Sequence, residues 1–347
     1  MVWYGTAVYE CWPFWHEAAH SLGISGDMDM IAQPLRTLGR SSPLNWRGAL
    51  LSLDRAAAVC AATLIAVAAA MPDERDDIGN AARGAMGTAR APISAPGRET
   101  AVGAYLGAPY HYPSDYKLQQ AGRHDATIKK VEWYTLPFDN PLYYGARIQQ
   151  WFANGRTGSM IDFVHSKAYA PLQEDAKFEG TIDGKPVPES AKIGDFFKRL
   201  EFTHGHNMLT LNGLVRFAGF SARLLPYAGL GAGISLPHSE MHLATDPART
   251  YEYQYAGPTA QALFGIEFRS RTGSVFLEYK FTIADYRAPV THRDGSWLPI
   301  DMWRQFSRWW SGTEPPGGWG ETRLTSHQVV GGFLVRFVPA GTAAAAP

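Results

Sequence analysis

Thr259–Ile283, TAQALFGIEFRSRTGSVFLEYKFTI, reads as two alternating runs joined by a tight link. In the first, Ala260, Ala262, Phe264, Ile266 and Phe268 form one apolar row, and Gln261 and Glu267 belong to the other. In the second, Leu277, Tyr279, Phe281 and Ile283 alternate with Glu278, Lys280 and Thr282. Successive side chains of a strand point to opposite faces, so each run has an apolar face and a charged one.

Eight segments share this pattern: 100–107, 143–152, 157–166, 207–217, 225–236, 258–269, 274–284 and 327–337. Each is near the roughly 9–11 residues that a tilted strand needs to cross a bilayer. Links two, four and six are short (ANGRT, AGFSARLL, SRTG), and links one, three, five and seven are long. Strict alternation of short and long links is the rhythm of an up-and-down barrel in an outer membrane, with tight periplasmic turns and long outer loops. The expectation is therefore an all-β fold, an eight-stranded antiparallel up-and-down transmembrane β-barrel with long extracellular loops. The loops after Leu106, Ser166, Leu236 and Ala284 would be external, and the turns near Asn154, Ser221 and Arg271 periplasmic.

The charges on the polar faces cannot meet lipid. Arg147, Arg216, Lys280 and Arg336 stand against Asp162, Glu267 and Glu278, an almost balanced set. The interior of a barrel of this size is just filled by side chains, so a paired polar network is expected and no open pore. The 347 residues carry 32 acidic and 32 basic side chains, a balance that gives no electrostatic reason for a nucleic-acid partner. A monomer is expected.

Residues 1–71 read as an N-terminal extension with a signal-like segment. Arg47 and Arg55 precede an apolar run from Ala56 to Met71, with cleavage plausible near Ala70. That run is shorter than the roughly 20 residues of a spanning helix, which favours export over a single anchor. Residues 72–98 read as a flexible linker, 99–338 as the barrel and 339–347 as a tail. The two cysteines, Cys11 and Cys60, precede the barrel, so neither a disulfide framework nor a cysteine metal site is available within it.

All nine histidines beyond Thr100 fall in or beside the long loops. Four rim segments stand out: GAPYHYPSD with His111 and Asp115, DFVHSK with Asp162, His165 and Lys167, EFTHGH with Glu201, His204 and His206, and LPHSEMH with His238 and Glu240. Imidazole and carboxylate suit first-row divalent metals, and His-x-His and His-x-Glu spacings let both residues aim the same way from an extended chain. Solvated loop histidines are the competing reading. GLGAG (Gly229–Gly233) lacks dinucleotide-loop spacing, and no G-x-S-x-G occurs. The adjacent pairs His165–Ser166 and His238–Ser239 would point to opposite faces, which disfavours a Ser–His hydrolase. In WLPIDMWRQFSRWW, Ile300, Trp303, Phe306 and Trp310 recur at helical spacing, as in an interfacial helix or a lid over the barrel mouth.

The set YLGAPYHYPSD, DFVHSK, THGHNMLTLNGL, PYAGLGAGISLPH, YEYQYAGPTAQALFGIEF and EYKFT resembles the lipid A oxidase of rhizobial outer membranes, over about Thr100–Phe337. The resemblance implies an oxidase in the outer membrane of a Gram-negative cell. It would convert the proximal glucosamine of 1-dephosphorylated lipid A to 2-aminogluconate, with molecular oxygen as co-substrate and hydrogen peroxide released. It also implies dependence on a divalent metal ion. On that reading the partner is lipid A, or lipopolysaccharide, of the outer leaflet, and the site faces the exterior. His165, His204, His206 and His238 are the candidate metal ligands, His204 and His206 also being candidate catalytic groups, and Glu240 or Asp162 would take the proton. Tyr110, His111, Tyr112, Asp115, Lys167 and Tyr251 are candidate substrate contacts. A non-catalytic structural or adhesive barrel and a lipid A acyl hydrolase or acyltransferase are the alternatives.

Overall fold

The computed structural model describes residues 98–217, 223–270, 273–295 and 297–337. The signal-like segment, nearly all of the linker, the turns at Ser221 and Arg271 and the tail lie outside the described residues. From the N-terminal side the chain forms β1 (Glu99–His111), β2 (Ser114–Gln120), β3 (His124–Val131), β4 (Tyr144–Trp151) and β5 (Thr157–Tyr169). Then come β6 (Asp175–Ile182), β7 (Lys185–Pro186), β8 (Ser190–Lys192), the one-turn helix α1 (Ile193–Phe196), β9 (Phe197–Arg216) and β10 (Leu224–Ser235). The order ends with β11 (His238–Leu243), β12 (Thr250–Tyr253), β13 (Gly257–Arg269), β14 (Gly273–Pro289), helix α2 (Leu298–Trp310) and β15 (Trp319–Phe337).

Eight of these strands close a ring, β1-β4-β5-β9-β10-β13-β14-β15, every neighbour antiparallel and β15 pairing back onto β1. The eight segments and their alternation are those expected from the sequence. The short link between β4 and β5 shows its local cause, because Asn154 Oδ1 accepts from the backbone N–H groups of Arg156 and Thr157 at 3.0 Å each and so turns the chain. Outward rows are apolar and exposed: Val102 and Leu106, Ile148, Ile161, Leu209, Leu211 and Val215, Leu230, Phe264, Leu277 and Ile283, Phe333 and Val335. A belt of that composition around a closed ring is the surface of a transmembrane barrel.

The interior is filled. Arg147 donates to both carboxylate oxygens of Glu278 (3.0 and 2.7 Å) and to Asp162 (3.3 Å), and Lys280 also donates to Asp162. Tyr105 and Tyr227 bring hydroxyls to Asp162 (2.9 Å) and Glu278 (2.7 Å). Each tyrosine lies across a glycine of the adjoining strand, Gly145 and Gly265, where a Cβ would collide with the ring. A second layer joins Arg216 and Arg269 to Glu267, and Arg269 and Arg336 to Glu99. Glu99 and Arg269 extend the charge set read from the sequence.

The long loops differ from the expectation. β9, β14 and β15 run on well beyond the belt, and strands from the loops join them in a single 15-stranded sheet. β2 pairs with the outer part of β15 and β11 with the outer part of β9. A strand that leaves the bilayer still presents a row of backbone donors and acceptors, and the loop hairpins satisfy them. Tyr116, Leu118, Trp133, Phe178, Phe197, Leu200, Phe202 and Val290 form an apolar core within this outer part.

Replacing Arg147 with Met should leave Asp162 and Glu278 short of a cation in a dry interior. The expected cost is on the order of 3–5 kcal/mol, read as a lower urea midpoint and loss of heat-modifiable gel mobility. An epitope tag beside Asn154 should stay hidden on intact cells, whereas one between β6 and β7 should be labelled.

Candidate functional site

The rim chemistry is set by a break in β9. Ser166 of β5 lies opposite His206, but two residues later Ala168 lies opposite Phe202, so β9 carries extra residues at Thr203–Gly205. Gly205 takes φ +134° there, a conformation that L side chains rarely adopt, and a Cβ on it would sit 2.2 Å from the Asn207 side chain. Across this bulge His204 is exposed and His206 fully buried. The expectation that the His-x-His spacing aims both imidazoles the same way is corrected: the glycine between them sends them apart.

His206 faces inward. Its Nδ1 is hydrogen-bonded to the Tyr286 hydroxyl, and its ring lies 5.5 Å from that of His111. His111 is held by Ser326 Oγ (2.7 Å) and the Lys167 carbonyl (2.9 Å). Burial without an acidic partner keeps both imidazoles neutral, the His111 pKa falling to about 4. His111, expected to touch substrate, is instead a buried structural group just above the belt.

Of the remaining candidate ligands His165, His204 and His238, only His204 is exposed. His165 pairs across the strands with Tyr144, which is exposed, and stacks on its ring at 4.7 Å. Its Nδ1 meets Asn207 Oδ1 at 2.8 Å. His204 and His238 approach to 5.2 Å between ring centroids, Tyr251 hydroxyl bonds His204 Nε2 at 3.1 Å, and the His238 ring lies 4.3 Å from that of Tyr251 and 4.5 Å from that of Tyr253. His238 is pushed down to about 4, by burial first and by His204 second.

Next to them stands a carboxyl pair. Glu240 of β11 lies directly opposite both Glu201 of β9 and Tyr251 of β12, so the three side chains occupy one face. Burial and then the charge of Glu240 raise Glu201 to about 7. Arg249 donates to Glu240 at 2.8 Å, and Arg199 to Glu201 at 3.1 Å. Two close carboxylates resist joint ionisation, so the pair holds one proton in the neutral range and can take up or release it. Glu201 was visible in EFTHGH, but its role depends on facing Glu240 across a loop hairpin, a pairing that no spacing in the sequence announces.

The remaining candidates scatter. Asp162 is fully buried in the barrel interior with Lys280 and Arg147, so it is a structural anion and not a rim base. Asp115 accepts from the Lys130 backbone on the outer hairpin. Lys167 is buried and donates to the Asp139 carbonyl at 3.0 Å. Tyr110 and Tyr112 pack edge to face, and Tyr112 also bonds His327. The four histidines do not meet at one point: among the described residues no group of three His, Cys, Asp or Glu side chains is placed to hold a metal ion. The side chains that do converge are His204, His238, Tyr251, Glu240 and Glu201.

The closed ring, the apolar belt and the rim cluster define an eight-stranded outer-membrane-type β-barrel with an ionisable site on its outer wall. No protein-family model matches the chain, and no curated protein matches it. Among solved structures it is similar to Neisserial surface protein A, with a TM-score of 0.30 and 8% identity over 69% of this chain and 96% of that one. It is also similar to the outer membrane protease OmpT from Escherichia coli, with a TM-score of 0.32 and 10% identity over 72% of this chain and 100% of that one. At these values the likeness carries no functional argument, and the fold stands on the strand ring itself.

Infrared spectroscopy should show a protonated carboxyl band that disappears as pH rises through about 7, the range to which Glu201 is raised. In Glu240→Gln the neighbouring charge is gone, so the midpoint should move to lower pH. In Glu201→Gln the band should be absent.

Proposed function

We propose that the chain is an outer-membrane enzyme that acts on lipid A in the outer leaflet. It oxidises the proximal glucosamine of 1-dephosphorylated lipid A to 2-aminogluconate and releases hydrogen peroxide. The observation that carries the reading is the convergence of His204, His238, Tyr251 and the Glu201–Glu240 pair on the outer wall. The sugar headgroup of an outer-leaflet glycolipid lies at this level, just above the apolar belt. The choice of oxidation over other lipid A chemistry rests on the resemblance of the rim and strand segments to the rhizobial oxidase.

The reaction breaks the anomeric O–H and C1–H bonds. One electron pair and two protons pass to dioxygen, giving hydrogen peroxide and a lactone, which water opens to the acid. Glu201, whose proton is poised near neutrality by burial and then by Glu240, is suited to take the hydroxyl proton. His204 and Tyr251 can hold the sugar hydroxyls, and Arg249 and Arg199 keep the carboxyl pair in place. The divalent ion implied by the resemblance does not fit the four-histidine arrangement, because His206 is turned into the barrel and bonded to Tyr286.

Mass spectrometry of lipid A from cells with and without the protein tests the reading. Gain of one oxygen on the glucosamine backbone is expected. Loss or gain of an acyl chain would mean a hydrolase or acyltransferase, and no change a non-catalytic barrel. His204→Ala should fold normally and lose roughly 100-fold or more in rate, the usual scale for an acid–base or positioning group at a reacting centre. Its neighbour behaves differently: His206→Ala leaves the buried Tyr286 hydroxyl without its imidazole partner and should lower stability by about 1–3 kcal/mol.

A further inference from the structure

Helix α2 is amphipathic in the reverse sense to a helix packed on a soluble protein. Its polar face is the one bound to the barrel. Asp301, 2% exposed, accepts from the Tyr253 backbone N–H at 3.2 Å. One turn on, Gln305 brackets Tyr255, accepting from its N–H and donating to its carbonyl, both at 2.7 Å. These two contacts grip β12 and the residues after it as an added strand would.

Turned away from Asp301 and Gln305 are Trp303, Phe306 and Trp310, with Trp309 and Ile300 at the two edges of that face. The rings touch one another, Phe306 lying 5.9 to 6.1 Å from the three indoles, and turn away from the protein. Trp303 is 67%, Trp309 73% and Trp310 77% exposed. Five large apolar side chains along one side of a 13-residue helix cannot stay in water without cost, since removing apolar surface from water is the dominant favourable term in folding and association. An apolar phase must cover them. The barrel's own belt shows that this molecule already sits in one, and indole rings favour its boundary. Arg304 and Arg308 lie on the polar side, where a helix at the boundary would meet the phosphate groups of lipids.

We infer that α2 lies in the outer leaflet of the bilayer as an interfacial helix, its tryptophans at the boundary of headgroups and acyl chains, and that it holds β12 at the membrane edge. The occupant of its apolar face is lipid hydrocarbon. The grip on Tyr253 and Tyr255 ties membrane seating to the strand that carries Tyr251 and Tyr253, so lipid chains are brought beside the histidines of the rim. This inference depends on the barrel and not on the oxidation chemistry.

The full chain, reconstituted in phosphatidylcholine vesicles, tests it through tryptophan emission. Trp303→Phe, Trp309→Phe and Trp310→Phe keep the apolar face and each delete one fluorophore, so differences from the unsubstituted protein report each indole. In every difference spectrum, lipids brominated on the upper part of the acyl chain should quench roughly twofold or more beyond what aqueous acrylamide does, as for indoles at headgroup depth. Acrylamide quenching with no effect of brominated lipid would place the helix in water and overturn the inference. Shielding from both quenchers, together with cross-linked dimers that Trp309→Arg abolishes, would make a second copy the occupant and overturn it as well. Lipid quenching that persists while lipid A remains unmodified would uphold the helix placement and refute only the oxidase.

Discussion

Backbone amides that face hydrocarbon have no water to bond, and this single constraint organises the molecule. It is met by closure: β15 returns to β1 in an unbroken register from Thr100 opposite Phe337 to His111 opposite Ser326. Once the ring closes, inward side chains are confined in a narrow space and charges among them must pair. Asp162, Glu278, Arg147 and Lys280 do so within a few ångströms. The same demand continues above the bilayer, where the long ends of β9 and β15 acquire loop strands as partners and that of β14 stays paired with β15. The outer sheet that carries the candidate site is thus an extension of the hydrogen bonding that the membrane imposes below.

The site depends on one departure from that regularity. If β9 kept its alternation through Gly205, His204 and His206 would face the same way. The bulge separates them into an inward imidazole that braces Tyr286 and an outward one that meets Tyr251 and His238. A backbone angle open to glycine and rarely adopted by other residues thereby separates the two imidazoles, one into the packed interior and one to the candidate site.

Much of the fold was legible because period-two alternation and loop length are direct consequences of spanning a bilayer. The rows Leu277, Tyr279 and Ile283 outward and Glu278 and Lys280 inward appear as read. Less of the site was legible. Asp162 opens DFVHSK, and the sequence supports both an interior charge and a rim base there; the cross-barrel approach of Lys280 decides for the interior. The Glu201–Glu240 pair arises from β11 folding onto β9 across some 40 residues, and it becomes a proton-holding unit only through that contact. Local pattern shows which face a residue takes, whereas partner identity across a loop belongs to tertiary structure.

The plugged interior also decides how any reactant reaches the rim. Tyr105, Arg147, Trp151, Phe276 and Lys280 are buried and, among the described residues, fill the lumen of the barrel, which favours approach from the outer side. The proposed lipid substrate would come sideways, by diffusion within the leaflet. For such an encounter the relevant abundance is the mole fraction of substrate in the surface, and bulk dilution of the cells leaves it unchanged. Under the proposed function, turnover would accordingly follow leaflet composition and fluidity, in the manner of a two-dimensional reaction.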